Sequence, residues 1–208
     1  MSNDETVTVY SDYVCPFCYL GRESLSRYQG TREDDLRIEW RPFDLQSHKR
    51  RPDGTIDHSV EDGKDDEYFE QAKEGVRRLQ EKYDVEMELD LASDVDSLNA
   101  QIASYHVQST HDYETWLAFD EAIFAALWQD SRDIGDPDVL VDLATDAGID
   151  ADEIRSALDD DSLREEVREQ FTAAQREGVT GVPTFAYDDH GARGAVPPEQ
   201  LQRLVEGT

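Results

Sequence analysis

The thiol chemistry of this chain is confined to two cysteines, placed as Cys15-Pro16-Phe17-Cys18. A pair at that spacing can close a short disulfide ring and reopen it, which is the chemistry of thiol–disulfide exchange. The run Thr6-Val7-Thr8-Val9-Tyr10 ahead of the pair is β-branched and aromatic and reads as a strand. After the connector Ser11-Asp12-Tyr13-Val14, Pro16 falls in the first turn of a helix whose apolar positions Phe17, Leu20, Leu25 and Tyr28 share a face. Cys15 is then the helix N-cap. Unpaired N–H groups and the positive end of the helix dipole lower a cysteine pKa there from about 8.5 to roughly 3.5–7.5. Cys15 is therefore expected to attack, and Cys18, one turn on and on the same side, to resolve.

Two other readings of the pair compete: half of a tetrahedral zinc site, or two inert core thiols. Zinc needs two further ligands. His48, His58, His106, His111 and His190 show no H-x3-H or H-x4-H pairing, and the five-residue step from His106 to His111 suits neither a helix face nor a finger. No metal is expected. Asp12 is a candidate acceptor for the Cys18 proton, set against the plainer role of a solvated turn residue. Tyr13 and Phe17 are candidates for an apolar rim that receives substrate, set against simple core packing.

A second feature lies near the other end, in Gly178-Val179-Thr180-Gly181-Val182-Pro183-Thr184-Phe185-Ala186-Tyr187. Glycines precede a Val-Pro bond and a strand-like run follows. X-Pro bonds adopt cis at modest cost, and proline suits a strand start because it donates no ladder bond. The alternative is an ordinary trans proline opening an edge strand; its coupling with the N-terminal cysteine pair favours cis.

These features resemble the thioredoxin fold. More narrowly, Asp12-Tyr13-Val14-Cys15-Pro16-Phe17-Cys18-Tyr19-Leu20-Gly21, Trp40-Arg41-Pro42-Phe43 and Val182-Pro183-Thr184-Phe185 are similar to the FrnE-like branch of the DsbA family. The resemblance implies that Cys15 and Cys18 cycle between dithiol and disulfide, that Val182 and Pro183 form a substrate-docking loop, and that no cofactor beyond the redox-active disulfide is needed. Periplasmic oxidases of the family carry Pro-His between the cysteines. Phe17 cannot favour the thiolate as histidine does, so a potential between about −270 and −120 mV is expected.

Between these ends, Leu36-Arg37-Ile38-Glu39-Trp40-Arg41 alternates apolar with charged and reads as a strand, completing a right-handed strand–helix–strand unit. His48 to Asp66 is polar, with Pro52-Asp53-Gly54 as a turn signal. From there to about Asp160 the spacing reads as helical throughout. Phe69, Val76, Leu79 and Tyr83 mark one segment; Val95, Leu98, Ile102 and Tyr105 a second; Trp116, Phe119, Ile123 and Leu127 a third. Asp136-Pro137 opens a fourth, Asp150–Leu158 forms a fifth, and Asp161-Ser162 caps a long helix through Leu163, Val167, Phe171 and Ala174. Asp188-Asp189-His190-Gly191 reads as the turn of a hairpin whose second strand is Ala192–Val196, and Pro197-Pro198 opens the last helix. The expected class is α/β, a thioredoxin-like fold with a large all-helical insertion between its βαβ and ββα halves. Residues 1–50 and 161–208 form the thioredoxin-like domain and 51–160 the insertion.

Forty-nine Asp and Glu oppose twenty Lys and Arg, a formal charge of −29. Such charge opposes compaction at low ionic strength, and at ~1 M salt the screening length falls to about 3 Å. The composition resembles that of haloarchaeal proteins. Disorder is disfavoured because 38% of residues are apolar with sustained helical spacing. Nucleic-acid mimicry would not require a cysteine pair, nucleic-acid binding is opposed by phosphate repulsion, and the acidic run Asp150–Asp161 lacks the calcium-loop pattern. Met1-Ser2-Asn3-Asp4-Glu5 has no basic or apolar leader pattern, and no apolar run reaches about 18 residues, so a cytoplasmic protein without membrane partners is expected. A cysteine pair in that compartment favours catalysis.

The leading expectation is a thiol–disulfide oxidoreductase acting on protein or small-molecule thiols and disulfides, as a monomer or weak dimer. The alternative is a glutathione-dependent enzyme like the 2-hydroxychromene-2-carboxylate isomerases and kappa-class transferases, which resemble the chain in its Tyr19-Leu20 context. Those carry a serine where Cys15 stands. A non-catalytic binding or chaperone module is the third possibility.

Overall fold

The computed structural model describes residues 5–61, 63, 66–89 and 95–207. The N-terminal residues Met1–Asp4, three positions of the polar loop (62, 64 and 65) and the stretch 90–94 that the spacing reads as helix lie outside the described residues.

Strand β1 (Glu5–Ser11) runs into helix α1 (Pro16–Gln29) and back to β2 (Leu36–Pro42), which pairs parallel to β1 with Val9 opposite Trp40. Near the C-terminus, β3 (Thr184–Tyr187) pairs antiparallel to the other side of β1 and to β4 (His190–Arg193), giving the sheet order β2-β1-β3-β4. This is the mixed sheet of a thioredoxin-like α/β fold. The hairpin turn is Asp188-Asp189, with Asp188 at φ 49°, so the second strand begins at His190 rather than Ala192. Asp tolerates the left-handed conformation that a two-residue hairpin needs, and the turn therefore closes earlier than the glycine suggested.

Between β2 and β3 lie α2 (Asp66–Tyr83), α3 (Leu98–Thr110), α4 (Tyr113–Trp128), α5 (Pro137–Asp146), α6 (Ala151–Leu158) and α7 (Asp161–Arg176), and α8 (Pro198–Glu206) follows β4. Helical spacing does not continue throughout: 84–89 and 95–97 are irregular, Val95 is buried outside any helix, and Phe69 is 41% exposed rather than on a packed face. The acidity of the chain is put to local use. Asp112, Asp136, Asp150 and Asp160 cap α4 to α7, each carboxylate accepting a backbone N–H of the first turn, a bond that satisfies one of the unpaired donors of a helix start. The cap of α7 is Asp160, one residue earlier than Asp161, because its carboxylate reaches both Ser162 N and Leu163 N.

One continuous core joins the sheet to the helices, with Val7, Val9, Trp40, Ile102, Phe119, Ile123, Trp128 and Phe185 all buried in it. Helix α8 packs on α1 and β4, and α7 packs on β2 and α3. The C-terminal end of β1 and the start of α1 are therefore enclosed by helices on one side and by the loop before β3 on another.

Candidate active site

Ser11 ends β1, and Asp12-Tyr13-Val14 carry the chain to Cys15, the N-cap of α1, with Pro16 at the first helical position. The Cys15 N–H donates to Asp12 O (3.1 Å), and the Cys15 carbonyl accepts from Cys18 N (3.0 Å) and Tyr19 N (3.3 Å). Both cysteines are free thiols. Cys15 is 4% exposed and Cys18 fully buried. Cys18 follows Cys15 by one helical turn, its N–H donating to the Cys15 carbonyl. Burial pushes the Cys18 thiol well above the ordinary cysteine range, and Cys15 pushes the same way. The Asp12 backbone N–H and the Ser11 hydroxyl pull more weakly in the opposite direction.

The far end of the chain completes the site. The Val182–Pro183 bond is cis, and the Cys15 thiol donates to Val182 O at 3.7 Å. Val182 is half-buried and Pro183 buried. A Cβ on Gly21 would stand 3.0 Å from Pro183 Cγ and 3.1 Å from Phe185 Cζ. Gly21 thus lets α1 press directly against the proline loop. Phe17 is half-buried and faces α2, where a Cβ on Gly75 would lie 3.4 Å from Phe17 Cζ.

Two candidates sit elsewhere than the sequence places them. Tyr13 is fully buried, with its hydroxyl bonded to Ser104 Oγ (2.7 Å) and Asp120 Oδ1 (2.8 Å) and its ring against Trp40 and Phe124. It is core, not rim, because α3 and α4 close over it. Asp12 is also fully buried rather than a solvated turn residue. Its carboxylate accepts from Ser97 Oγ (2.6 Å), Leu45 N (2.9 Å), Val14 N (3.3 Å) and Gln101 Nε2 (3.4 Å). Burial raises its pKa to about 7, with Asp44 adding to the rise and the bonds from Ser97, Leu45 and Val14 opposing it.

The connector is therefore clamped from three directions: Trp128 Nε1 donates to Tyr13 O at 2.9 Å, the start of α3 holds Asp12, and Leu45 holds it from beyond β2. Ser11, Gly21, Ser97, Gln101 and Trp128 were not singled out from sequence as site residues. A signal for the first existed in Ser11-Asp12-Tyr13, which lacks the Gly or Pro of an exposed turn.

A model of the DSBA-like thioredoxin domain matches residues 6–206. The chain belongs to the DSBA-like thioredoxin domain family. This DSBA-like chain is 28% identical over 200 residues to the uncharacterized protein YwbO of Bacillus subtilis, covering 96% of its own length and 94% of that protein. A probable DsbA oxidoreductase from Streptomyces coelicolor superposes with TM-score 0.78 at 23% identity, over 97% of this chain and 88% of that one. A 2-hydroxychromene-2-carboxylate isomerase superposes with TM-score 0.72 at 20% identity, over 96% and 92%. At these identities both likenesses speak to the fold. Among the described residues no group of three or more His, Cys, Asp or Glu side chains is arranged to hold a metal ion, and no helix is long and apolar enough to cross a membrane.

Proposed function

We propose that the chain is a thiol–disulfide oxidoreductase in which Cys15 attacks and Cys18 resolves. The observation that carries the reading is the Cys15 thiol set between Cys18 and the Val182 carbonyl, to which it donates at 3.7 Å. Cys15 thiolate attacks a substrate disulfide, one substrate sulfur leaves as thiolate, and a mixed disulfide forms on Cys15. Cys18 thiolate then attacks Cys15 Sγ, the second substrate sulfur leaves, and the Cys15–Cys18 disulfide closes. Two electrons pass from the protein to the substrate; run in reverse, the same steps oxidise a dithiol. Val182, Pro183 and Phe17 would contact the substrate chain, and no resident cofactor is required.

The segments Asp12–Gly21 and Val182–Phe185 support the FrnE-like branch as the narrower placement. The glutathione-dependent isomerase reading has the likeness of fold behind it. Two free cysteines one helical turn apart favour redox cycling, since an isomerase that merely activates a bound thiol has no use for Cys18.

Redox titration with alkylation in ~1 M KCl, the concentration at which screening is nearly complete, tests the proposal. Cys15 and Cys18 should change state together at a single potential. Cys18→Ala should accumulate mixed disulfides that Cys15→Ala does not form. Independent titration of the two thiols, or full activity in Cys18→Ala, would sink the dithiol cycle.

A further inference from the structure

Gly75 stands in the interior of α2, where glycine lowers helix stability relative to alanine. Neither backbone nor space demands it. Its φ is not positive, and a Cβ there would meet Phe17 Cζ at 3.4 Å, Phe17 Cε1 at 3.6 Å and Arg78 Nη2 at 4.0 Å, all ordinary contacts. The glycine therefore leaves a notch on the helix, bordered by the Phe17 ring and the Arg78 guanidinium. Phe17 belongs to the dipeptide between the two cysteines, and both it and Gly75 are half-buried, so solvent reaches the notch. Beneath it, Leu20 of α1 and Val76 of α2 are buried in one cluster with Phe17 packed against it. Arg78 is exposed and makes no hydrogen bond or ion pair among the described residues, although Glu74 and Glu81 lie on the turns either side. Arg22, Arg32 and Arg50, by contrast, each hold a carboxylate. In a chain of net charge −29, the stretch from Lys73 to Tyr83 sets Lys73, Arg77, Arg78 and Lys82 against only Glu74 and Glu81.

We propose that this notch is a subsite for disulfides that carry a carboxylate close to the sulfur, with the substrate's alkyl stem lying on Gly75 against Phe17 and its carboxylate on Arg78. This rests on the dithiol reading given above. A guanidinium offers a carboxylate two parallel N–H donors, and that contact offsets the repulsion the −29 surface imposes on an anion. Arg78 is then a specificity-determining residue: it selects which disulfide is held, while Cys15 and Cys18 carry the sulfur chemistry. With 3,3′-dithiodipropionate, Cys15 displaces one 3-mercaptopropionate and forms a mixed disulfide, and Cys18 displaces the second and closes the protein disulfide. Two electrons pass from the protein to the substrate, and the two cysteine protons are balanced by those on the two product thiols.

The test compares 3,3′-dithiodipropionate with the neutral bis(2-hydroxyethyl) disulfide as oxidants of the reduced protein, reading the loss of both thiols by acid quench, alkylation and mass. Reactions run in ~1 M KCl, where a screening length of about 3 Å leaves chiefly contact interactions. Arg78→Gln should slow the reaction with dithiodipropionate by about three- to fivefold, the span of an exposed ion pair, and leave the neutral disulfide unchanged. Arg77→Gln removes the same charge one position earlier and should slow neither. Gly75→Ala should melt at a higher temperature than wild type and yet react more slowly with both disulfides, because its methyl fills the notch. A second pair of oxidants, the disulfide-linked dimers of Ac-Asp-Cys-Asp-NH2 and Ac-Asn-Cys-Asn-NH2, separates the sources: an Arg78 effect confined to the peptides assigns the carboxylate to a protein side chain, and one confined to dithiodipropionate assigns it to a small acid. The subsite is overturned if Arg78→Gln slows no acidic disulfide, or slows acidic and neutral ones alike, if Arg77→Gln matches it, or if Gly75→Ala reacts as fast as wild type; the dithiol cycle survives each of these. If wild type does not lose both thiols together to the neutral disulfide, the dithiol cycle fails, and the subsite fails with it.

Discussion

Asp12→Asn separates the charge of the connector's buried carboxylate from its shape. Burial raises the Asp12 pKa from 3.8 to about 7. At 1.36 kcal/mol per unit, a rise of about three units corresponds to about 4 kcal/mol. The folded value lies above the unfolded one, so between about pH 4 and pH 7 the folded chain keeps a proton that the unfolded chain has lost. This contribution to stability is complete below pH 4, declines as pH rises towards 7 and levels off above it. Asparagine does not titrate. It also offers one acceptor where the carboxylate takes bonds from Ser97, Leu45, Val14 and Gln101. That mismatch costs about 1–3 kcal/mol at every pH. Rotation of the Gln101 amide, whose Oε1 has no partner, can recover part of it. Urea unfolding of both proteins at fixed high KCl, from pH 4 to 8, gives two curves whose difference cancels the other carboxylates. The wild-type advantage should shrink by up to about 4 kcal/mol between pH 4 and 7 and then stay level. Two parallel curves would show that Asp12 is ionised throughout and that its four donors outweigh its burial.

Gly21→Ala should destabilise by about 1–3 kcal/mol and slow disulfide exchange, since its Cβ meets Pro183 Cγ at 3.0 Å and Phe185 Cζ at 3.1 Å; thermal unfolding and a turnover assay check both, and a more stable variant with intact exchange would mean the loop yields freely. Tyr13→Phe removes the hydroxyl shared by Ser104 and Asp120 and should cost about 1.5–3 kcal/mol in urea unfolding. A loss of substrate affinity with unchanged stability would instead restore Tyr13 to the rim. The melting temperature should climb between ~0.1 and ~1 M KCl as the Debye length falls from about 10 to 3 Å. A flat or falling curve would remove self-repulsion by the −29 charge as a factor in stability.

The ends of the chain could be read directly because their signals are local. A β-branched run, a proline one residue after a cysteine and an acidic residue before an apolar stripe each act on backbone within a few positions, and β1, α1 and the caps of α5 and α6 fall where those signals put them. The connector misled for the complementary reason. Asp12 and Tyr13 look like solvated or rim residues in a chain this acidic, and what makes them interior is α3 and α4 folding over them from about 90 to 110 positions away. His106 and His111 repeat the lesson: their spacing suggested no pairing, yet both set Nε2 against Glu153 Oε1, at 2.9 and 2.8 Å, because α6 packs across the end of α3.

Sequence by itself determined the close-spaced cysteine pair, the strand and helix that present it and the proline loop as a separate element. Tertiary structure decided what meets that pair and its connector: the Val182 carbonyl at Cys15, a proline ring pressed onto Gly21, and Ser97 and Leu45 at the buried Asp12 carboxylate. The physical reason is range. Propensity and capping are settled within a turn or two of the chain, whereas burial and hydrogen-bond satisfaction depend on partners that only packing brings together.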